Sequence, residues 1–201
     1  MKLAGQLALL CSCGAWIGLA AEALDHTTWS AFQGDADSAQ YSALKQIDKS
    51  NVSRLQQVWF YPAGDNGFRF GFNPIVVDRT MYVVGKNNSV VALEATSGRE
   101  LWVHDNHTPR SFSHRGISYW ESKDRSDRRL FFSTNNILHA IDAVTGKPVD
   151  SFGDHGDVDL RDGLGRDPKK MRAIQSGTPG RVFEDLLILG SATGEEYGAP
   201  P

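Results

Sequence analysis

After residue 50, the apolar residues of this chain come in short runs separated by turn-forming residues. Residues 81–84, 130–132 and 186–189 are β-branched, aromatic or aliphatic runs, bounded by Gly, Asn, Asp or Ser. Such bounded runs are typical of short β-strands. No segment after residue 50 keeps apolar residues at helical spacing over three turns. The pattern therefore predicts an all-β fold.

The strand pattern repeats along the chain. The segment ALEATSGRELW at residues 92–102 returns, nearly fifty residues later, as AIDAVTGKPV at residues 140–149. A second block, which opens on Pro and closes on Gly, occurs at residues 74–85 and again at 179–190. Short strands repeated at this period predict the four-stranded blades of a β-propeller. A β-sandwich is the alternative, although its turn signals need not recur as a block.

A propeller needs roughly 4–8 blades to close. This chain has room for two complete blades at most, with one group of strands at each end. Its last residues, 198–201, follow directly after a predicted strand. The sequence therefore predicts only the first few blades of a longer propeller.

The first residues have the composition of an export signal. Lys2 is followed by an apolar run at residues 3–10 and by small residues before Ala21 and Ala23. A positive start, a short apolar core and small residues at a cleavage point are typical of a secretory signal peptide. We expect residues 1–23 to be this signal and residues 24–201 to be the exported, periplasmic part.

Both cysteines, Cys11 and Cys13, lie within this signal. Cleavage after Ala21 or Ala23 would leave no cysteine and no disulfide in the mature chain. A lipoprotein signal with Cys13 as the lipidated residue is the alternative, and it would associate the protein with a membrane.

Composition excludes two broad classes. The chain is 40% hydrophobic and 22% charged, so it can build a packed core rather than remain disordered. Its formal net charge is −3, from 21 basic and 24 acidic residues. We therefore expect no nucleic-acid partner, because there is no basic excess to bind phosphates.

Four ordered blocks near the start carry a family resemblance. They are WSAFQGD at residues 29–35, YSALKQI at 41–47, NVSRL at 51–55, and Trp59. Together with the Thr-Gly-Lys repeat, they resemble the pyrroloquinoline-quinone-dependent (quinoprotein) alcohol and glucose dehydrogenases, from about Trp29 to Pro201. Residues 115–120 and 151–160 are more similar to the glucose and polyol branch than to the methanol branch.

This resemblance implies an enzyme with an eight-bladed propeller that holds pyrroloquinoline quinone (PQQ) beside a Ca²⁺ ion. Such an enzyme oxidises alcohols, polyols or sugars and passes the electrons to a respiratory-chain acceptor. The family's aspartate base and asparagine ligand have no match among these 201 residues. We therefore expect no catalytic residue here and no activity from the fragment alone.

The resemblance implies contacts for the cofactor and the metal. Arg115 matches the arginine that contacts the quinone, and such a cation stabilises the negative charge that develops on reduction. Glu196 matches the calcium-ligand glutamate, although neighbouring Glu195 leaves the register open. Ca²⁺ prefers carboxylate and carbonyl oxygens.

Two hydroxyl residues complete the implied site. Ser176 aligns with a quinone-bonding threonine and Thr193 with a serine, while Ser191 is an alternative to Thr193. Trp102 matches a blade-closing tryptophan that packs rather than reacts. The chain departs from the family at Gly71, where many members have a glutamate, and at residues 109–110, where methanol-type members have two cysteines.

Two polar segments contain residues of the kinds that bind metal ions, but the spacing of these residues does not favour a metal site. His104, His107 and His114 lack the pairing of a helical zinc site, so we interpret them as part of a polar loop. Residues 154–167 are rich in Asp and Gly but lack calcium-loop spacing, and we interpret them as a solvated connection.

Two rival functions stay open at this point. Propellers with similar repeats also serve as non-catalytic scaffolds or binding modules of the cell envelope, and a lipidated Cys13 would favour that role. The second rival is that the chain is a non-functional remnant of an enzyme, and such a remnant would fold poorly by itself.

Overall fold

The computed structural model describes residues 27–35, 37–64, 71–106, 115–171, 174 and 177–191. Its ten strands form two four-stranded antiparallel sheets and one two-stranded hairpin. In the first sheet the strands β1 to β4 neighbour one another in chain order: Ile75–Val77, Thr80–Val84, Val90–Glu94 and Glu100–His104. The second sheet contains β5 to β8: Ser118–Glu121, Arg128–Thr134, Ile137–Asp142 and Asp157–Asp159. The hairpin contains β9 and β10: Arg181–Phe183 and Leu186–Ile188.

Helical structure in the described residues is limited to three short 3₁₀ turns: Val52–Arg54, Lys86–Asn88 and Pro168–Lys170. The prediction of an all-β chain built from four-stranded units is confirmed. We call each four-stranded sheet a blade.

The two blades pack face to face around a common core. The first blade contributes Ile75, Tyr82 and Val90, and the second contributes Leu130 and Phe132, all buried. Because side chains alternate across a strand, β6 sends Leu130 and Phe132 to this core and Phe131 to the opposite face. Burying apolar area in this way is the main favourable contribution to holding the blades together.

The repeated turns hold neighbouring units through tryptophan. Gly146 has a φ of +72°, and a Cβ added there would lie 2.6 Å from Cε3 of Trp102. The Trp102 ring of the first blade therefore lies directly on the turn of the second, which confirms its predicted packing role.

The same contact occurs once more, one unit earlier in the chain. A Cβ added at Gly98, at φ +69°, would lie 2.5 Å from Cε3 of Trp59. The indole N–H of Trp59 also donates to the Ala95 carbonyl at 3.1 Å. Residues 57–61 thus contact the first blade through Trp59. The last strand of the first blade, β4, contacts the second blade in the same way through Trp102.

A second core lies on the far face of the second blade. Phe131, Leu138 and Ala140 are buried there, with Leu187 of the hairpin packed against them. The hairpin covers only part of this face and leaves an open cavity of about 570 Å³. The two strands of the hairpin are therefore fewer than this face can accommodate.

Two local interpretations from the sequence were wrong. His104 is not in a loop: it ends β4, where its Nδ1 lies 2.8 Å from the Gly146 carbonyl oxygen and its ring contacts Phe132. Burial lowers the pKa of His104, which favours the neutral ring. The acidic segment at residues 154–167 is not only a solvated connection, because Asp157–Asp159 forms the edge strand β8. Asp159 pairs there with Arg161 at 2.6 Å, so its charge is compensated at the sheet edge.

Tyr82 gives this core a testable pH dependence. Its hydroxyl donates to the Ala143 carbonyl of the other blade at 3.1 Å, and burial raises its pKa from 10.0 to about 12. Because folding raises the pKa of Tyr82, this residue contributes stability to the folded state below pH 10. That contribution is lost as pH rises towards 12. We expect the urea concentration at the midpoint of unfolding to fall as pH rises from 10 to 12. The fall should be less steep in the Tyr82→Phe variant. Tyr61, whose pKa is also raised to about 12, and Tyr119, whose pKa is raised by burial and by its hydrogen bond to Glu121, account for a remaining fall. An identical pH dependence in both proteins would contradict this assignment.

Candidate functional site

The first strands of the three units (β1, β5 and β9) begin side by side. The residues that lead into them contact one another directly. The Asn73 backbone N–H donates to the Arg115 carbonyl at 3.1 Å, and the Ser118 hydroxyl donates to the Pro179 carbonyl at 2.7 Å. We call Asn73, Arg115, Gly116 and Pro179 the rim. The rim brings together three segments that are far apart in the sequence.

Gly116 allows the rim to close. Its φ is +149°, and an added Cβ would lie 3.3 Å from the Asn73 carbonyl oxygen. The same Cβ would lie 3.7 Å from both the Phe32 ring and the Pro179 ring. A Cβ at position 116 would therefore crowd the Asn73 carbonyl oxygen and would meet the two rings at ordinary contact distance, in a backbone conformation that glycine adopts readily.

Arg115 presents its side chain at this rim. The residue is exposed, while its carbonyl accepts hydrogen bonds from Asn73. Within the described part of the chain, the Arg115 guanidinium forms no ion pair. The rim thus combines a held backbone with an available cation, which suits an anionic ligand.

The opening segment of the chain lies along the free edge of β1. The Val76 N–H donates to the Trp29 carbonyl at 2.8 Å, and these two residues form an antiparallel bridge. Arg181 of β9 donates to the Asp35 carbonyl at 2.8 Å and to the Ser38 hydroxyl. The opening block that the sequence singled out therefore ties the first blade to the hairpin.

A small cavity lies between the opening segment and the starts of β5 and β9. Its volume is about 190 Å³, and Phe32, Ser118 and Arg181 are among the residues that line it. Pockets for small organic ligands are usually larger, at roughly 300–1,000 Å³. By itself, this cavity is therefore too small for a usual ligand of that kind.

The opposite ends of the first strands have a different electrostatic character. Arg125 bridges the blades there, at 2.6 Å from Asp78 and 2.9 Å from Glu121. These residues line a cavity of about 440 Å³. Because this arginine is already paired with two carboxylates, it offers less to an anionic ligand than Arg115 does.

Of the four predicted site residues, the structure describes only Arg115. Ser176, Thr193 and Glu196 lie outside the described residues, as does Glu195. The alternative Ser191 is described and exposed, three positions beyond the end of β10. Since Ile188 at that end pairs with Arg181 at the start of β9, Ser191 lies at the same end of the hairpin as the rim.

No group of three potential metal ligands occurs among the residues that the structure describes. His107 and His114 lie outside them, as do the predicted signal at residues 1–23 and both cysteines. A search of the described ranges for a helix long and apolar enough to cross a membrane finds none.

Sequence reasoning missed the residues that build the rim around Arg115. Asn73 was not singled out, and Phe32 and Ser118 were noted only as parts of motifs. The available signal was the repeated block, in which Pro74 and Pro179 occupy equivalent places shortly before a first strand. That signal does not say which segments meet, because the hydrogen bonds of the rim join residues 42 and 61 positions apart.

Comparisons with known proteins agree with this architecture. The family model of the PQQ β-propeller domain of glucose, ethanol and alcohol dehydrogenases matches residues 29–200. The chain is 26% identical over 200 residues to the quinate/shikimate dehydrogenase (quinone) of Acinetobacter baylyi, a match that covers 85% of this chain and 25% of that protein. It is 30% identical over 189 residues to the quinoprotein glucose dehydrogenase of Escherichia coli, covering 82% and 23%.

A solved structure shows the same fold. The quinohemoprotein alcohol dehydrogenase of Comamonas testosteroni superposes with a TM-score of 0.64 at 24% identity, over 86% of this chain and 24% of that one. The chain thus spans about a quarter of the length of the relatives it matches. With the family model matched over most of its length, the chain belongs to the PQQ-dependent dehydrogenase β-propeller family.

Proposed function

We propose that this chain forms the first blades of an exported quinoprotein dehydrogenase that oxidises alcohols, polyols or sugars. The observation that carries the proposal is the exposed guanidinium of Arg115, on a rim whose backbone is held from the neighbouring blade. The names of the relatives, which act on quinate, glucose and alcohols, support this substrate class. No observation on the described residues favours a non-catalytic scaffold instead.

The residues at the rim fit PQQ, a planar molecule with three carboxylates and two adjacent carbonyls. An arginine suits both groups, because its guanidinium donates to oxygen and carries a permanent charge. Gly116 places no side-chain atoms between the backbone beside Arg115 and its neighbours Asn73, Phe32 and Pro179, so these segments can lie close together at the rim. Ser176 and Thr193 would add hydroxyl donors.

In the proposed mechanism, PQQ, when bound, would supply a carbonyl able to accept a hydride from the substrate carbinol carbon. Arg115 would stabilise the negative charge that develops on the cofactor oxygens. Its contribution is greater after the charge has developed than before, which is the condition for accelerating a reaction. We assign no proton acceptor within this chain.

A metal ion belongs to the same proposal. Glu196 would supply carboxylate oxygens, which Ca²⁺ prefers, and Ca²⁺ would act as a Lewis acid beside the cofactor. The electrons would then pass to a respiratory-chain acceptor. Residues 1–23 would direct the protein out of the cytoplasm, with membrane association through Cys13 as the alternative.

We also propose that residues 24–201 form only the N-terminal portion of the propeller. Residues 57–61 occupy the place of a last strand, and Val58 and Phe60 are 84% and 74% exposed. At the other end, the two-stranded hairpin leaves an apolar face of the second blade partly open. Both features support further strands on either side.

The test is dye-linked oxidation by the complete protein, reconstituted with PQQ and Ca²⁺. We expect PQQ-dependent dye reduction with at least one of ethanol, glycerol, glucose and quinate, loss of activity on chelation, and recovery with Ca²⁺. The 201-residue chain is the matched control and should give no turnover, because it offers no proton acceptor. A complete protein that neither binds PQQ nor reduces the dye with any of these substrates would contradict the proposal.

A further inference from the structure

The side-chain amide of Asn73 joins two segments of the rim. Its Nδ2 donates to the Arg115 carbonyl at 3.1 Å and to the Gly71 carbonyl at 3.3 Å. The Asn73 backbone N–H donates to the same Arg115 carbonyl, also at 3.1 Å. One residue of the first blade thus makes two hydrogen bonds to the backbone oxygen of Arg115, which leads into the second blade.

This arrangement requires an amide. Both acceptors are carbonyl oxygens, and an Asn amide offers two N–H groups that can serve them together. An aspartate of the same shape has no such donor, and its oxygens would face the two carbonyls instead. The geometry therefore selects asparagine on chemical grounds rather than on size.

The neighbouring backbone reinforces the contact. Gly116 directly follows the held carbonyl, and the space for a Cβ there is limited by the Asn73 carbonyl oxygen at 3.3 Å. The Arg115 carbonyl is therefore held by two hydrogen bonds from Asn73, and the glycine that follows it lets the two backbones approach closely. What remains free at Arg115 is its exposed side chain.

We infer that Asn73 is a positioning residue for the quinone site. It holds the Arg115 backbone so that the guanidinium starts from a fixed point on the rim. The inference rests on the proposed function, because Arg115 must contact PQQ for its placement to affect binding. Asn73 itself need not touch the cofactor.

The experiment measures PQQ affinity of the complete apoprotein by quenching of its tryptophan fluorescence. Asn73→Asp should raise the dissociation constant about tenfold, because both side-chain hydrogen bonds are lost and the carboxylate oxygens repel the two carbonyls. Asn73→Ala keeps the backbone donor and should raise it about threefold. Asn87→Asp, the same change in an exposed left-handed turn of the first blade, is the control and should stay within about twofold of wild type.

A double-mutant cycle separates positioning from a general structural effect. In an Arg115→Ala background, Asn73→Asp should change PQQ affinity by less than about twofold, because there is no guanidinium left to position. An equally large loss in both backgrounds would overturn the inference, as would wild-type affinity in both Asn73 variants. If Asn73→Asp does not fold, the same cycle with Asn73→Ala decides.

The two proposals fail in different ways. If the wild-type protein does not bind PQQ, the proposed function itself is wrong. If it binds PQQ and Arg115→Ala weakens binding while the Asn73 variants do not, only the positioning role is wrong.

Discussion

Replacing Arg115 by alanine in the complete enzyme is expected to lower kcat by about 10²–10³, with PQQ and Ca²⁺ saturating. This is the usual loss when one preorganised donor to a developing negative charge is removed. The substrate KM should change little, since in the proposed site the arginine contacts the cofactor rather than the substrate. Steady-state kinetics with an artificial electron acceptor measure both constants.

Arg115→Lys tests the geometry of the same interaction. Lysine keeps the charge but loses the planar fork of donors, so it should recover only part of the lost rate. If Arg115→Ala keeps kcat within about threefold of wild type, far short of that loss, Arg115 is only a turn residue at the start of β5. The proposed assignment of Arg115 would then be wrong, whatever the outcome for PQQ binding.

Replacing Gly146 by alanine is expected to destabilise the 201-residue chain by about 2–5 kcal/mol, through two separate effects. The left-handed backbone at φ +72° costs a residue with a Cβ roughly 1–2 kcal/mol. Overpacking adds about 1–3 kcal/mol, because the new methyl would lie 2.6 Å from an atom of the Trp102 ring. Denaturant unfolding measures the sum.

Gly163 provides the matched control. Its φ is +75°, nearly that of Gly146, but nothing lies within 4 Å of an added Cβ. Gly163→Ala should therefore cost only the backbone part, about 1–2 kcal/mol. Equal losses in the two variants would mean that the contact between Trp102 and the turn does not hold the blades together.

The elements that the sequence predicted best are those whose signals are local. The runs at residues 81–84 and 130–132 fall within β2 and β6, and glycines mark the turns at positions 98 and 146. Strand propensity and turn chemistry act over a few residues, so a single sequence carries them. The repeat then indicated that neighbouring units would be alike.

Two local predictions failed where packing overrides composition. Asp157–Asp159 resembles a loop because acidic residues are rare in strands, yet it pairs with β7 at a sheet edge where its side chains reach Arg161 and His139. His104 resembles part of a polar loop, yet it stands at the end of β4 against Phe132. The partners that decide the outcome, β7 for Asp157–Asp159 and Phe132 for His104, are not neighbours in the sequence.

By itself, the sequence determined the all-β class, the blade repeat, the family and the identity of Arg115 as a candidate contact. Only the tertiary structure decided that Asn73 holds Arg115, that Gly116 packs against Phe32 and Pro179, and that Trp59 packs on the turn of the first blade. The physical reason is the distance along the chain over which each kind of interaction acts. Periodicity and turn preference are set by neighbours along the chain, whereas a rim made where separate blades meet depends on how their faces pack.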